Sequence, residues 1–263
     1  MNTPRQHRRA VAIAACLAAF AAPLSGQIPE TFENLRYFPR DITRDSLVQV
    51  MRGFSFALNV RCQHCHVGGD GVSFAGVNFA SDDKVAKQKA RYMLQMVDTI
   101  NLRLLAAVPG RHSPPVTIAC VTCHRGIATP TTLATILTAT IERAGIDSAI
   151  AQYRHLRATA MASGSYDFDE WSINEMARHL STAGKTAEAI AMLKLNQEFN
   201  PQSRSLDMMI GELHLRRGER TEAIARYGAV LVRQPTNEMA LRRLRELGGG
   251  AAHRSDRAHP PQS

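Results

Sequence analysis

Apolar and polar positions change rhythm twice along this chain. From Gln27 to Arg40 there is little periodicity, and Pro29 and Pro39 mark extended or loop structure. A helical stripe then begins. Leu47, Met51, Phe54 and Leu58 recur at helical spacing behind Thr43, which predicts a helix capped by Thr43 and running to about Leu58. Asn59-Val60-Arg61 turns out of it, and Gly68, Gly69 and Gly71 mark a flexible stretch. Ser81-Asp82-Asp83 predicts the opening of a second helix with acids in its first turn, continuing to about Leu105. Its apolar face carries Met93, Met96, Val97 and Ile100. Pro109-Gly110 breaks the chain and Pro114-Pro115 stiffens it.

From Thr131 the texture becomes paired helices. Gly184 and Gly218 lie 34 residues apart, as do Pro201 and Pro235, Ala189 and Ala223, and Glu188 and Glu222. That period belongs to the tetratricopeptide repeat, a helix–turn–helix unit. Ala177 and Gly211 take the small-residue position of the first helices. Leu193 and Tyr227 take the bulky slot of the second. Gly145 with Ala149-Ile150 reads as a degenerate earlier unit, and Asn237 to Leu247 as a capping helix. The expected fold class is therefore mainly α. The expected segments are a signal peptide over 1–26, a first domain over 27–130, tetratricopeptide-like repeats over 131–247 and a disordered tail over 248–263.

Composition adds a direction of travel. Arg5, Arg8 and Arg9 precede a short apolar run from Ala10 to Ala22 and a cleavage zone near Gly26, the layout of an export signal. The run is too short to span a bilayer, and nothing later approaches the roughly 20 residues a span requires. Cys16 sits in a loose lipoprotein-like box, but the apolar run continues beyond it, which favours its removal with the signal. The formal charge of +9 lies largely on late arginines interleaved with glutamates. Export and the lack of a basic-plus-aromatic constellation argue against nucleic-acid binding.

The chemistry sits in a motif that occurs twice: Cys62-Gln63-His64-Cys65-His66 and Cys120-Val121-Thr122-Cys123-His124. Cys-x-x-Cys-His is the attachment signature of c-type haem. Two residues between the cysteines let one tight turn present both sulfurs to one edge of a porphyrin. The adjoining His66 or His124 then reaches the iron. A Cys₄ zinc site or a pair of disulfides explains the cysteines but leaves both abutting histidines idle. Two covalent haems also account for the sparse aromatics, 6% of the chain, by supplying flat apolar surface. For the far side of each iron the spacing leaves alternatives open. Met51 is either a ligand or ordinary core. Met93 and Met96, three apart, cannot both ligate, and His112 competes with them or is simply an exposed loop residue.

The stretch from about Phe32 to Pro130 resembles the cytochrome c subunit of photosynthetic reaction centres. The matching residues are Met51-Arg52-Gly53-Phe54-Ser55 through Leu58 to the first motif, Ala90-Arg91-Tyr92-Met93-Leu94-Gln95-Met96 through Ile100-Asn101, and Val121-Thr122-Cys123-His124-Arg125-Gly126 with Pro130. The resemblance implies a Met on the preceding helix as sixth ligand: Met51 for the first haem and Met93 for the second, with Met96 left to packing. That family carries four haems, whereas this chain has two motifs, and the repeats are an addition to the resemblance.

The leading functional expectation is a periplasmic dihaem electron carrier, docked through its repeats to a membrane redox complex or another cytochrome. With His and Met on both irons, no bond-making chemistry is expected. A dihaem peroxidase-like enzyme needs one iron open to substrate. A docking protein with purely structural haems is the third reading.

Overall fold

The computed structural model describes residues 28–110 and 113–255. The expected signal segment with Cys16, His112 and residues 256–263 lie outside the described residues. The chain divides into two compact units, 1–129 and 130–263. Regular structure among the described residues is helical, apart from one isolated antiparallel bridge between Val67 and Asn78.

In the first unit, α1 (Arg44–Leu58) forms where its stripe predicts. Thr43 Oγ1 accepts from the Ser46 amide at 3.3 Å, and Asn59 ends the helix in the left-handed region at φ 53°. The second helix differs from expectation at its start. α2 (Val85–Thr99) begins after Lys84 rather than at Ser81. The reason is electrostatic: the Asp82 carboxylate receives Arg36, Lys87 and Arg91 at 3.1, 3.3 and 2.8 Å and is not free to cap. Ser81 Oγ instead accepts from the Asp83 amide in a local turn. After Thr99 the backbone widens into a π turn (Ile100–Leu104) and tightens into a 3₁₀ turn (Leu105–Ala107). A short α3 (Cys120–His124) follows and packs on α1.

The first unit has almost no conventional core. Leu47 and Ala57 are its only buried apolar residues among those described, whereas Phe56, Leu102 and Tyr92 are 79%, 73% and 71% exposed. Polar clasps hold it instead. Asn101 bonds the Ile118 backbone twice, at 2.8 and 2.7 Å. Lys87 Nζ bonds the carbonyls of Phe79, Ala80 and Ser81.

The second unit is packed differently. α4 (Leu133–Ala160) is two helices joined at Gly145, whose φ of 82° and ψ of 172° interrupt the helical path. It is followed by the pair α5 (Glu170–Thr182) and α6 (Thr186–Phe199), then the pair α7 (Leu206–Arg216) and α8 (Arg220–Arg233), and lastly α9 (Glu238–Ser255). Each helix from α5 to α9 packs on the next. Equivalent bonds close the two turns: Lys185 N to Leu180 O and Glu219 N to His214 O, at 2.9 and 3.0 Å. α9 runs past Leu247, the expected helix end, through Gly248 to Gly250 into Ala251 and Ala252, which are strong helix formers.

Leu137, Tyr153, Ile173, Met176, Leu193 and Ile210 share one core cluster. Tyr227, Val230, Ala240 and Leu247 share a second. Buried Asp207 joins α6, α7 and α8 by accepting from Gln197 and Arg226 at 3.0 Å each and by pairing with Arg233. Arg243 on α9 grips Glu212 on α7 with two bonds of 2.8 and 2.9 Å.

The small and bulky repeat positions interlock. A Cβ on Gly211 would lie 2.8 Å from Tyr227 Cε1, and Tyr227 is fully buried with its hydroxyl bonded to Glu212 at 2.9 Å. The ring therefore has nowhere to move. Gly211→Ala is expected to cost about 1–3 kcal/mol of overpacking, more than the helix-propensity gain of about 1 kcal/mol. Gly211→Ala with Tyr227→Leu recreates the Ala177–Leu193 pairing and is expected to recover part of that loss. Denaturant unfolding of the three variants checks both, and full stability in the single Gly211→Ala variant refutes the fit.

Candidate functional site

Both Cys-x-x-Cys-His segments form tight turns within the first unit. The first occupies a 3₁₀ turn (Cys62–His64), with the Cys65 and His66 amides donating to the Cys62 carbonyl at 3.1 and 3.0 Å. The second is α3, entered through a bond of 3.0 Å from the Ala119 amide to Thr122 Oγ1. In the second motif both cysteines and the histidine lie on α3, whereas in the first Cys62 opens the turn and Cys65 and His66 follow it directly. The four cysteines are free thiols: Cys62, Cys65 and Cys120 are half-buried, and Cys123 is exposed. Burial pushes the Cys65 and Cys120 thiols up from their ordinary range.

The histidines differ in their supports. His124 Nδ1 lies 2.9 Å from the Ile127 carbonyl, which fixes Nδ1 as the protonated nitrogen and leaves the Nε2 lone pair free for a metal. Arg125 in the left-handed region at φ 46° and Gly126 at φ 81° turn the chain back to supply that carbonyl. The Gly126 amide then donates to Ala57 O at 2.8 Å, tying the second motif to α1. His66 packs edge-on against Phe79 with ring centroids 5.0 Å apart, and Phe74 packs on Phe79 at 6.1 Å. Its Nδ1 is buried and makes no hydrogen bond among the described residues. Burial first, then the Lys87 charge, push His66 down to about 4. The Phe79 backbone beside the ring opposes them, its carbonyl also accepting from Lys87 Nζ at 2.8 Å.

The loop after the first motif is built around its glycines. A Cβ on Gly68 would meet the Gly76 carbonyl oxygen at 2.1 Å, and one on Gly69 the Val77 side chain at 2.6 Å. Asp70 closes the loop by accepting from the Val72 and Ser73 amides at 2.9 and 2.7 Å. The stretch expected to be flexible is thus a closed turn that carries Phe74 and Phe79 to His66.

Of the expected distal ligands, Met51 is half-buried on α1. On α2, Met93 and Met96 are 42% and 45% exposed, so exposure does not choose between them. Among the described residues, no three His, Cys, Asp or Glu side chains converge as a zinc cage does.

The residues fit a c-type haem at each motif. Two free thiols stand on one turn, an imidazole follows with a metal-ready nitrogen in the second motif, and the surrounding unit leaves its large apolar side chains uncovered by protein. The sequence did not single out Asn101, Lys87 or Asp82 as supports of the site. Asn101 was visible only as the end of a matching stretch, and Asp82 only as an acid in the first turn of a helix.

The profile of the family described as photosynthetic reaction centre cytochrome C subunit matches residues 14–200. The match continues to the end of α6, beyond the Phe32–Pro130 stretch that carries the sequence resemblance. A putative cellulose synthase operon protein C from Escherichia coli O157:H7 is 34% identical over 128 residues, which is 44% of this chain and 11% of that protein. The chain thus spans about a tenth of that relative's length. The Sgt2 tetratricopeptide domain from Aspergillus fumigatus aligns over 50% of this chain and 84% of its own, at 16% identity and a TM-score of 0.32. The first tetratricopeptide domain of Spaghetti (RPAP3), bound to the HSP90 peptide SRMEEVD, aligns over 46% and 90%, at 19% identity and a TM-score of 0.31.

The Asp82 clasp has a pH signature. The Asn34 hydrogen bond, then those of Arg91 and Lys87, hold its carboxyl at about 2 against an ordinary 3.8. Its contribution is complete above about pH 4 and is lost as pH falls through about 2, because the unfolded chain takes up the proton first. Acid unfolding followed by circular dichroism is expected to show the first unit weakening in that window. Asp82→Asn is expected to be less stable at neutral pH and flatter below pH 4. Identical acid profiles refute the clasp.

Proposed function

This chain belongs to the photosynthetic reaction centre cytochrome C subunit family, and from that membership we propose that it is an exported dihaem c-type cytochrome that carries single electrons to or from a membrane redox complex. The observation that carries this reading is the missing apolar core of the first unit. Among its described residues Leu47 and Ala57 are the only fully buried apolar side chains, little burial for a module of that size. A porphyrin on each Cys-x-x-Cys-His turn supplies the apolar surface that the protein itself does not.

Cys62 and Cys65 would hold the first haem and Cys120 and Cys123 the second by thioether bonds, with His66 and Met51 the ligands for the first iron and His124 and Met93 those for the second. When bound, the haem supplies a one-electron Fe(III)/Fe(II) couple. The chain's part is to fix the imidazoles, to keep water from the irons and to close the sixth position with a thioether, which suits electron transfer rather than peroxide turnover. The family's membrane-associated role supports a site outside the cytoplasm, with residues 1–26 as the export signal. Among the described residues, no helix is long and apolar enough to cross a membrane. The stacked helices of the second unit serve as the docking surface for the redox partner.

Intact-mass analysis of natively matured protein is expected to give the mass of the chain plus two haems. Met51→Ala and Met93→Ala are each expected to convert one iron from low-spin to high-spin in the absorption spectrum. Bare thiols or bound zinc would sink the reading. An unaltered spectrum in either variant would remove that Met as a ligand, and steady peroxide turnover by the unmodified protein would favour the peroxidase-like alternative.

A further inference from the structure

α2 carries Met93 but fully buries none of its own side chains among the described residues. Core packing therefore does little to set where this helix stands, and polar ties at its two ends do so instead. At its start, Lys87 and Arg91 hold Asp82, from the segment just ahead of the helix. At its far end, the Tyr37 hydroxyl donates to the Asp98 carboxylate. Just beyond, inside the π turn, Asn101 Nδ2 donates to the Ile118 carbonyl at 2.8 Å, and Asn101 Oδ1 accepts from the Ile118 amide at 2.7 Å.

The Asn101 pair is the one among these ties that runs into the second motif. It engages both backbone groups of a single residue, as a neighbouring strand does, so it fixes an orientation as well as a distance. Ala119 comes next, and its amide donates to Thr122 Oγ1 at 3.0 Å. Cys120 follows at once. The exit of the motif is tied elsewhere, to Ala57 on α1 through the Gly126 amide. Asparagine suits the task because one side-chain amide offers a donor and an acceptor together. Leucine, of similar size, offers neither, and aspartate offers only acceptors.

We propose that Asn101 is a positioning residue for the second haem: its two-point grip on Ile118 sets the stance of the Met93 helix relative to Cys120, Cys123 and His124. This rests on the reading that the second motif carries a haem with Met93 as its distal ligand. Asn101 acts through the helix that bears the thioether, not on the iron itself.

The test compares Asn101→Leu, Asn101→Asp, Met93→Ala and the Asn101→Leu/Met93→Ala pair in the full mature chain. Intact mass, absorption spectra and hydrogen exchange at the Ile118 amide are measured on each. Asn101→Leu is expected to keep both haems and to speed Ile118 exchange roughly tenfold, the loss of about one hydrogen bond. It is also expected to turn one of the two irons high-spin. Asn101→Asp is expected to convert a smaller share of that iron, and the pair to leave the same single iron high-spin as Met93→Ala alone. Two low-spin irons in Asn101→Leu, two high-spin irons in the pair, or a larger share in Asn101→Asp overturns the positioning role and leaves the haem reading intact. Should Asn101→Leu fail to mature, Asn101→Asp decides, and two fully low-spin irons there overturn the role. A protein without haem, or an unaltered Met93→Ala spectrum, overturns the ligand reading and this one with it.

Discussion

Among the described residues of the first unit only Leu47 and Ala57 are fully buried apolar side chains, so the hydrophobic effect acting among its own side chains holds it weakly. Every other feature of the first unit follows from that constraint. Its segments are stitched by directional polar contacts instead: the double bond pair from Asn101 to Ile118, the three carbonyls on Lys87 and the three cations on Asp82. Such contacts fix register well but contribute little net free energy each. They suit the proposed reading, in which the two Cys-x-x-Cys-His turns would each hold a large rigid apolar group.

The second unit solves the opposite problem. Its helices bury Leu137, Tyr153, Met192, Leu193, Leu206 and Ile210 without outside help, and each helix from α5 onward leans on the next. Stability in such a stack is a sum of neighbour terms. The Asp207 group strengthens one of these terms by placing a buried carboxylate between two arginines of the next helix. Two cations and an amide satisfy the acid, so its desolvation is offset where it lies.

Much of this was legible in the chain. Thr43 and the stripe behind it predicted α1 to the residue, because a side-chain cap and helical spacing are both local signals. The 34-residue period marked the turns at Gly184 and Gly218, because a left-handed turn leaves glycine as its mark, while Gly145, read as part of a degenerate earlier unit, is the break in α4. What failed was long-range. Asp82 looked like an acid in the first turn of a helix until Arg36, from the segment ahead of α1, came to meet it. The glycine-rich loop looked flexible until Gly76 closed on Gly68. The support of His124 was invisible, since it depends on which carbonyl the backbone swings beneath the ring. The distal ligands rest on family resemblance, because Met51, Met93 and Met96 differ little in local context.

The close fit of Gly211 against Tyr227, beside the Ala177–Leu193 pairing one repeat earlier, bears on how such a tail grows or shrinks between lineages. Genetic crossovers that fall between whole hairpins keep each snug partner with its mate. Crossovers inside a hairpin join alanine to tyrosine or glycine to leucine, and produce either a collision or a hole. Descent should therefore lengthen and trim this region in hairpin-sized steps, with breakpoints gathered near Pro201 and Pro235 rather than at Gly184 or Gly218.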